Sequence, residues 1–267
     1  MRITTAIKPI FAAAALATLC GVAHGQAFDA VRLFGVPTGD GQGTVGAAVI
    51  MGHQYLGSSE RRNMVFPAID YQWRNGWFAG TANGVGYQFD SAPNLQYGLR
   101  MTFDLGRSES RTPALAGMGD IDARPEASAF FNVFVTREIF LTSTVRYGAG
   151  NDRQGAQLDL GAGYAVQLAP QWRTAVGVAA TVVNGAYMQS YFGVTPAQSQ
   201  TSGYAPYSVS AGVRDVRASA SLNYFITADW TLTGAVTARS LQGSAKNSPI
   251  VSEQTPVAGV VAVTYRF

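Results

Sequence analysis

The side chains behind most enzymatic and metal chemistry are nearly missing from this chain: its 267 residues include one cysteine, Cys20, and two histidines, His24 and His53. Nucleophilic hydrolysis needs a base that takes a proton near neutrality, usually histidine, and clustered metal sites need His and Cys together. Charge is scarce as well, at 13% of residues against about 25% in ordinary soluble domains. The net charge of +3 comes without a run of Lys or Arg, so the clustered basic face of a nucleic-acid binder is missing and no nucleic-acid partner is expected. Beyond residue 26 there is no stretch of about 18 consecutive apolar residues. A helical span is thereby excluded, and any membrane crossing must be made by strands.

The first residues form a separate object. Arg2 and Lys8 make a positive start, residues 9–22 are apolar, and Ala23 and Gly25 place small side chains where a signal peptidase reads. We therefore expect a signal peptide over residues 1–25. Cys20 leaves with it, and the bulky Leu19 directly before Cys20 argues against a lipoprotein anchor. The exported chain then has no disulfide. Residues 26–42, with Gly35, Pro37, Gly39, Asp40 and Gly41, show no sustained period and are expected to form an amino-terminal periplasmic segment, ahead of a single domain over 43–267.

What is abundant points to β-structure: 30 glycines, 14 phenylalanines and 12 tyrosines. The clearest organising stretch is the last one, 255–267. Val257, Gly259, Val261, Val263, Tyr265 and Phe267 share one face, and Ala258, Val260, Ala262, Thr264 and Arg266 share the other. An apolar face that ends in aromatics at the carboxy terminus suits the closing strand of an outer-membrane β-barrel. Tyr265 and Phe267 are its expected closing signal, read by the barrel assembly machinery. Similar alternation recurs over 44–55, 63–73, 97–106, 127–136, 139–147, 157–166, 172–183, 217–226 and 230–239. Asn83-Gly84 marks a tight hairpin between 77–82 and 85–89. Pro67 predicts a bulge or a locally unpaired stretch.

Connections separate a barrel from a sandwich. Residues 136–138, 168–171 and 227–229 are short, while 107–126, 184–207 and 241–254 are long, and the two kinds alternate as periplasmic turns and outer loops do. With both termini on one side the strand number is even. Placing 107–126 outside requires four strands before Leu95, which gives twelve antiparallel strands, or ten if 77–89 is one strand and another segment stays outside the wall.

The faces opposite the apolar ones carry Asp70, Arg100, Asp104, Arg146, Asp159, Arg173, Arg217, Arg239 and Arg266. Charges of both signs inside a barrel must be paired or hydrated. They form either an internal network that holds the wall in shape or an anion-favouring solute path. In the 184–207 loop and beside it, Tyr187, Tyr191, Phe192, Tyr204 and Tyr207 lie among Gln and Ser. They are candidate outer binding residues, or a lid folded back over the lumen. His53 with Ser58, Ser59 and Glu60 could be imagined as a triad at the membrane surface, although an interfacial histidine beside a polar loop fits the spacing better. Asp120 and Asp122 offer too few ligands for calcium, and Gly148-Ala149-Gly150 has no phosphate-binding helix after it. No catalytic, cofactor or metal residues are expected.

Several motifs resemble the MltA-interacting protein (MipA)/OmpV family of outer-membrane proteins. They are Tyr55-Leu56-Gly57-Ser58 with Arg61-Arg62, Tyr71-Gln72-Trp73-Arg74-Asn75-Gly76-Trp77-Phe78 and Gly84-Val85-Gly86-Tyr87. Further on come Leu115-Ala116-Gly117-Met118-Gly119-Asp120-Ile121, Arg146-Tyr147-Gly148, Tyr191-Phe192-Gly193-Val194-Thr195, Ser248-Pro249 and Tyr265-Arg266-Phe267. The resemblance implies a Gram-negative outer-membrane location, contact with outer-membrane lipid, and a scaffold role that brings a murein lytic transglycosylase together with a murein synthase. It attaches no catalytic residues. The expectation is thus a non-enzymatic scaffold of the cell envelope. A small-solute channel, a surface adhesin or antigen, and a lipid-modifying hydrolase are the alternatives.

Overall fold

A computed structural model describes residues 40–89, 92 and 94–267. The expected signal peptide and most of the 26–42 segment lie outside the described residues. Twelve strands follow in order: β1 Gly41–His53, β2 Arg61–Trp73, β3 Trp77–Gly80, β4 Gly84–Gln88, β5 Leu95–Asp104, β6 Arg124–Phe134, β7 Ile139–Ala149, β8 Gly155–Ala169, β9 Trp172–Val183, β10 Gly212–Phe225, β11 Trp230–Leu241 and β12 Val257–Arg266. Each pairs with its sequence neighbours, and β1 pairs with β12 to close the barrel. The alternation of short and long connections thus predicts the strand number correctly. At the seam the antiparallel register runs from Thr44↔Arg266 to Met51↔Gly259. Gly43 and Phe267 extend it by exchanging two backbone hydrogen bonds of 3.0 Å.

The period of two along each strand sorts side chains into an outer and an inner set. Outside lie Val65, Leu99, Phe103, Val145, Leu160, Val178 and Val261, all exposed. Buried polar groups such as Gln96, Ser128, Arg146, Asp159, Arg217 and Arg239 lie on the inner face. That is the inverse of a soluble barrel and the pattern of one set in lipid. Around the short-turn end the outer face becomes aromatic. Phe267 stacks on Tyr71, Tyr71 meets Trp73, and Trp77, Tyr87, Phe89, Tyr97 and Phe131 follow in a chain of ring contacts. Amphipathic rings favour the boundary between hydrocarbon and headgroups, so this belt marks where the wall leaves the membrane.

The wall is not of even height. β3 and β4 hold four and five residues, whereas β2 holds 13. Gly84 closes this short hairpin at φ +74°, and a Cβ there would come within 1.9 Å of the Met101 carbonyl oxygen, so only glycine fits. Beside it the Asn83 side-chain amide donates to Asp70 at 2.8 Å.

The long connections carry helices. The 184–211 loop contains α1, Gly185–Phe192, and α2, Pro196–Ser202, and the last long loop contains α3, Gly243–Lys246. The Asn184 side chain caps α1 by accepting the Tyr187 N–H, and Thr195 with Gln198 forms a capping box on α2. The α1 cap is also tied to the wall, because the same Asn184 Oδ1 accepts the Ala156 N–H of β8 at 3.0 Å.

Candidate functional site at the capped end of the lumen

The inner wall of β6 to β11 carries a ring of buried ions. Asp159 accepts from Arg146, from Arg217 at 3.0 Å and from the Thr181 hydroxyl at 2.7 Å. Asp215 takes Arg214 Nε at 2.7 Å, and Arg217 and Arg239 lie 3.6 and 3.4 Å from its other oxygen. Arg217 and Arg239 are directly paired across β10 and β11. Two like charges in that position repel, and Asp215 between them offsets the repulsion.

The register explains how Arg214 and Asp215 both point inward. Between Val213 and Asp215 the β9–β10 ladder slips by one residue, so Arg214 is the extra residue of a bulge. Both side chains are almost fully buried. From Arg214 the network runs on: Nη1 donates to Gln157 at 2.9 Å, and Gln157 donates to Glu126 at 2.9 Å.

The cap rests on this ring. Arg214 also donates to the Tyr187 hydroxyl at 2.7 Å, and its guanidinium lies over the Tyr187 ring, 5.2 Å from the centroid. Tyr187 stacks on Tyr191 at 4.6 Å, and the Tyr191 hydroxyl donates to Asp104 of β5. Met188, Phe192, Leu241 and Ala245 pack with Tyr187 against Ala149 and Val183 of the wall. A second cluster joins Tyr55, Leu115, Met118, Val194 and Ile250 from four separate loops. The Tyr55 hydroxyl donates to the Ile250 carbonyl at 2.7 Å, and Arg107 Nη1 donates to the Tyr191 carbonyl at 2.9 Å. Burial pushes the Tyr55 and Tyr187 hydroxyls up to about 12, and burial with the nearby Asp104 carboxylate raises Tyr191 further. All three are neutral at physiological pH, Tyr55 and Tyr191 acting as donors and Tyr187 as the acceptor of Arg214.

The aromatics considered for an outer binding surface face inward. Tyr187 and Phe192 are buried, and Tyr191, Tyr204 and Tyr207 are half-buried. Tyr204 and Tyr207 use their hydroxyls on the carbonyls of Ala114 and Ser244, at 3.1 and 2.9 Å. Of the two arrangements weighed from sequence, this is the lid. The physical reason is that each ring gains burial and each tyrosine hydroxyl gains a partner.

Of the polar residues assigned to the lumen, Arg146, Asp159, Arg217 and Arg239 meet in the ring. Asp104 sits at its cap side, Asp70 beside Asn83, and Arg100 beside Ser128 and over the Phe130 ring. Arg173 and Arg266 share the inward parity but lie exposed at the short-turn end, away from the ring. Sequence reading missed Arg214, Asp215, Gln157, Thr181 and Glu126 as members. The adjacent charges Arg214-Asp215 ahead of a period-two run were the available signal for the bulge.

His53, Ser58 and Glu60 do not assemble a triad. Ser58 Oγ accepts the Glu60 N–H at 3.1 Å, the Glu60 carboxylate accepts the Thr112 hydroxyl at 2.6 Å, and no hydrogen bond among the described residues reaches His53 from either. Asp120 accepts the Glu109 N–H at 2.7 Å, which with the Ser108 hydroxyl holds its carboxyl below the usual range, and Asp122 pairs with Arg124. Both are committed to loop structure.

A closed twelve-stranded barrel with an apolar outside and a capped, ionic inside defines an outer-membrane β-barrel protein. The family described as MltA-interacting protein MipA matches residues 45–267, and the chain belongs to that family. No curated protein matches it. Solved structures with a similar course include the KdgM porin, at 10% identity and TM-score 0.47 over 84% of this chain and 99% of the porin. The NanC porin is similar at 10% identity and TM-score 0.44, over 84% and 98%. A bacterial polysaccharide outer membrane secretin gives 8% identity and TM-score 0.46, over 84% and 98%. Likenesses this distant say nothing of cargo.

Proposed function

We propose that the protein is a non-enzymatic scaffold of the outer membrane that holds a murein-processing partner at the envelope. The observation that carries this reading is the cap: four loops share one core over the lumen and are anchored to the wall through Arg214 and Tyr187. A lumen occupied by its own loops and ion pairs favours a rigid platform over a passage, and a rigid wall presents its connections in fixed positions. The family's description as MltA-interacting supports a lytic transglycosylase as the partner, with a murein synthase recruited beside it. Affinity capture from detergent-extracted membranes tests the idea. The transglycosylase is expected in the eluate, and an eluate repeatedly without it or any murein synthase would refute the scaffold.

One observation favours a second reading, a channel for anionic solutes. The buried ring holds Arg146, Arg214, Arg217 and Arg239 against Glu126, Asp159 and Asp215, an excess of one positive charge. If the cap opened, that lining would favour anions. Single-channel recording separates the two readings.

A further inference from the structure

The low stretch of wall at β3 and β4 leaves a window. On its β1 side β2 is paired continuously from Arg61 to Trp73, but on its β3 side the ladder covers only Asp70, Tyr71 and Gln72. One further backbone bond runs from Thr81 to Ile69. Residues 61–68 therefore present a free edge, about 26 Å long at about 3.3 Å per residue. Among the described residues no backbone hydrogen bond reaches it from the window side. Across the gap, β5 continues past Met101, its last β4 partner, through residues 102–104. The 105–123 loop bridges the top, where Thr112 bonds Glu60, and the 81–83 turn forms the sill.

Along residues 64–68 the β2 rim of the window is apolar on both faces, while the β5 rim turns Thr102 and Asp104 inward. Outside, Val65 at the middle of the free edge is 70% exposed, more than any other large apolar side chain among the described residues. Inside, two cross-strand rows run from β12 through β1 to that same edge: Val260, Ile50 and Met64, then Ala262, Ala48 and Phe66. Ala48, Val260 and Ala262 form a buried cluster with Ile50 packed on it, on the half of the lumen away from the ion ring. Above them Arg62 turns inward with its Nη1 buried and unpartnered.

What occupies the window follows from where it opens. The flanking outer faces are lipid-facing, so hydrocarbon lies directly outside. A second copy does not fit, because two barrels inserted the same way bring their β2 strands together running in the same direction with opposite tilts, which forms no continuous ladder. We propose that the window is a lateral binding site for an acyl chain, which enters between β2 and β5 from the leaflet at the long-loop end. The chain lies along Met64, Phe66, Ile50 and Ala48, and its polar end sits by Arg62, since Arg61 is turned the other way, onto the Val257 carbonyl at 2.8 Å. The site is independent of the scaffold reading.

Single-cysteine variants of the otherwise cysteine-free exported chain test this. A bimane label is placed at Val65→Cys outside the window, at Phe66→Cys or Met64→Cys inside it, and at Ala179→Cys on the opposite inner wall. Each labelled barrel must keep its heat-dependent gel shift in liposomes. Brominated phospholipid and, separately, free brominated stearate are the quenchers. Quenching at position 66 or 64 at least threefold above position 179 is expected. Quenching by phospholipid would mark a bilayer chain as the occupant, and quenching by stearate alone would mark a free fatty acid. Labels at 66 and 64 quenched no more than 179 by either agent would overturn the proposal.

Discussion

Arg214 and Tyr187 hold wall and cap together: the guanidinium donates to the hydroxyl at 2.7 Å and lies over the ring of the same residue. Arg214 is the bulge residue of β10 and Tyr187 sits in the first turn of α1. The pair therefore joins a kink in the barrel to the start of its lid. Tyr187→Phe keeps the ring and the cation–π contact but leaves a buried donor short of a partner, at a cost of about 1–3 kcal/mol. The 184–211 loop should then be cut by protease several-fold faster, with the barrel's own gel shift unchanged.

Asp215 is shared by three arginines of the ring. Its replacement by Asn leaves Arg214, Arg217 and Arg239 crowded in a buried space with Asp159 and Glu126 as the remaining carboxylates. Breaking a buried ion pair from one side costs about 3–5 kcal/mol. The temperature at which the folded gel band converts should fall by roughly 6–20 °C, at about 2–4 °C per kcal/mol for this size. Asp70→Asn, away from the ring, should shift it far less.

The cap should loosen in alkali. Tyr55 and Tyr187 are held up to about 12, against an ordinary value of 10.0. A raised value means the folded cap keeps protons that the unfolded chain would lose. The stability they contribute is complete below pH 10 and is lost as pH rises toward 12. Tyrosinate absorbance of these two residues should emerge only near pH 12, together with faster proteolysis of the cap, and none of this should occur between pH 6 and 9.

Phe267 closes the seam with Gly43 through two backbone bonds and rests on the Tyr71 ring, 6.2 Å between centroids. Deleting it removes both bonds and one member of the aromatic belt, about 1–3 kcal/mol in the folded barrel. We expect a lower yield of the heat-modifiable form in membranes, measured by gel. Phe267→Tyr should restore it.

The wall was legible in the sequence because lipid on one side and polar groups on the other enforce a strict period of two, as in Tyr97, Leu99, Met101 and Phe103. The strand number followed from loop lengths. The ion ring was legible in part. Arg146, Asp159, Arg217 and Arg239 obey the period, whereas Arg214 and Asp215 break it at a bulge, and Glu126 lies one residue outside the 127–136 segment that alternation marked. The cap was less legible still, because its residues answer to one another across loops: Tyr55 to Ile250, and Tyr204 to Ala114. Pro67 was a truer signal. It sits on a stretch of β2 that has a ladder on one side only.

The central claim, that the lumen is closed by its own loops and the protein works as a platform, is tested most directly by single-channel recording in planar bilayers. The account predicts that the intact protein gives no stable conductance. It predicts that a variant lacking residues 185–210, inserted with its gel shift retained, gives discrete openings that favour anions. Steady openings of the intact protein, at rates and sizes like those of the loop-deleted form, would contradict it.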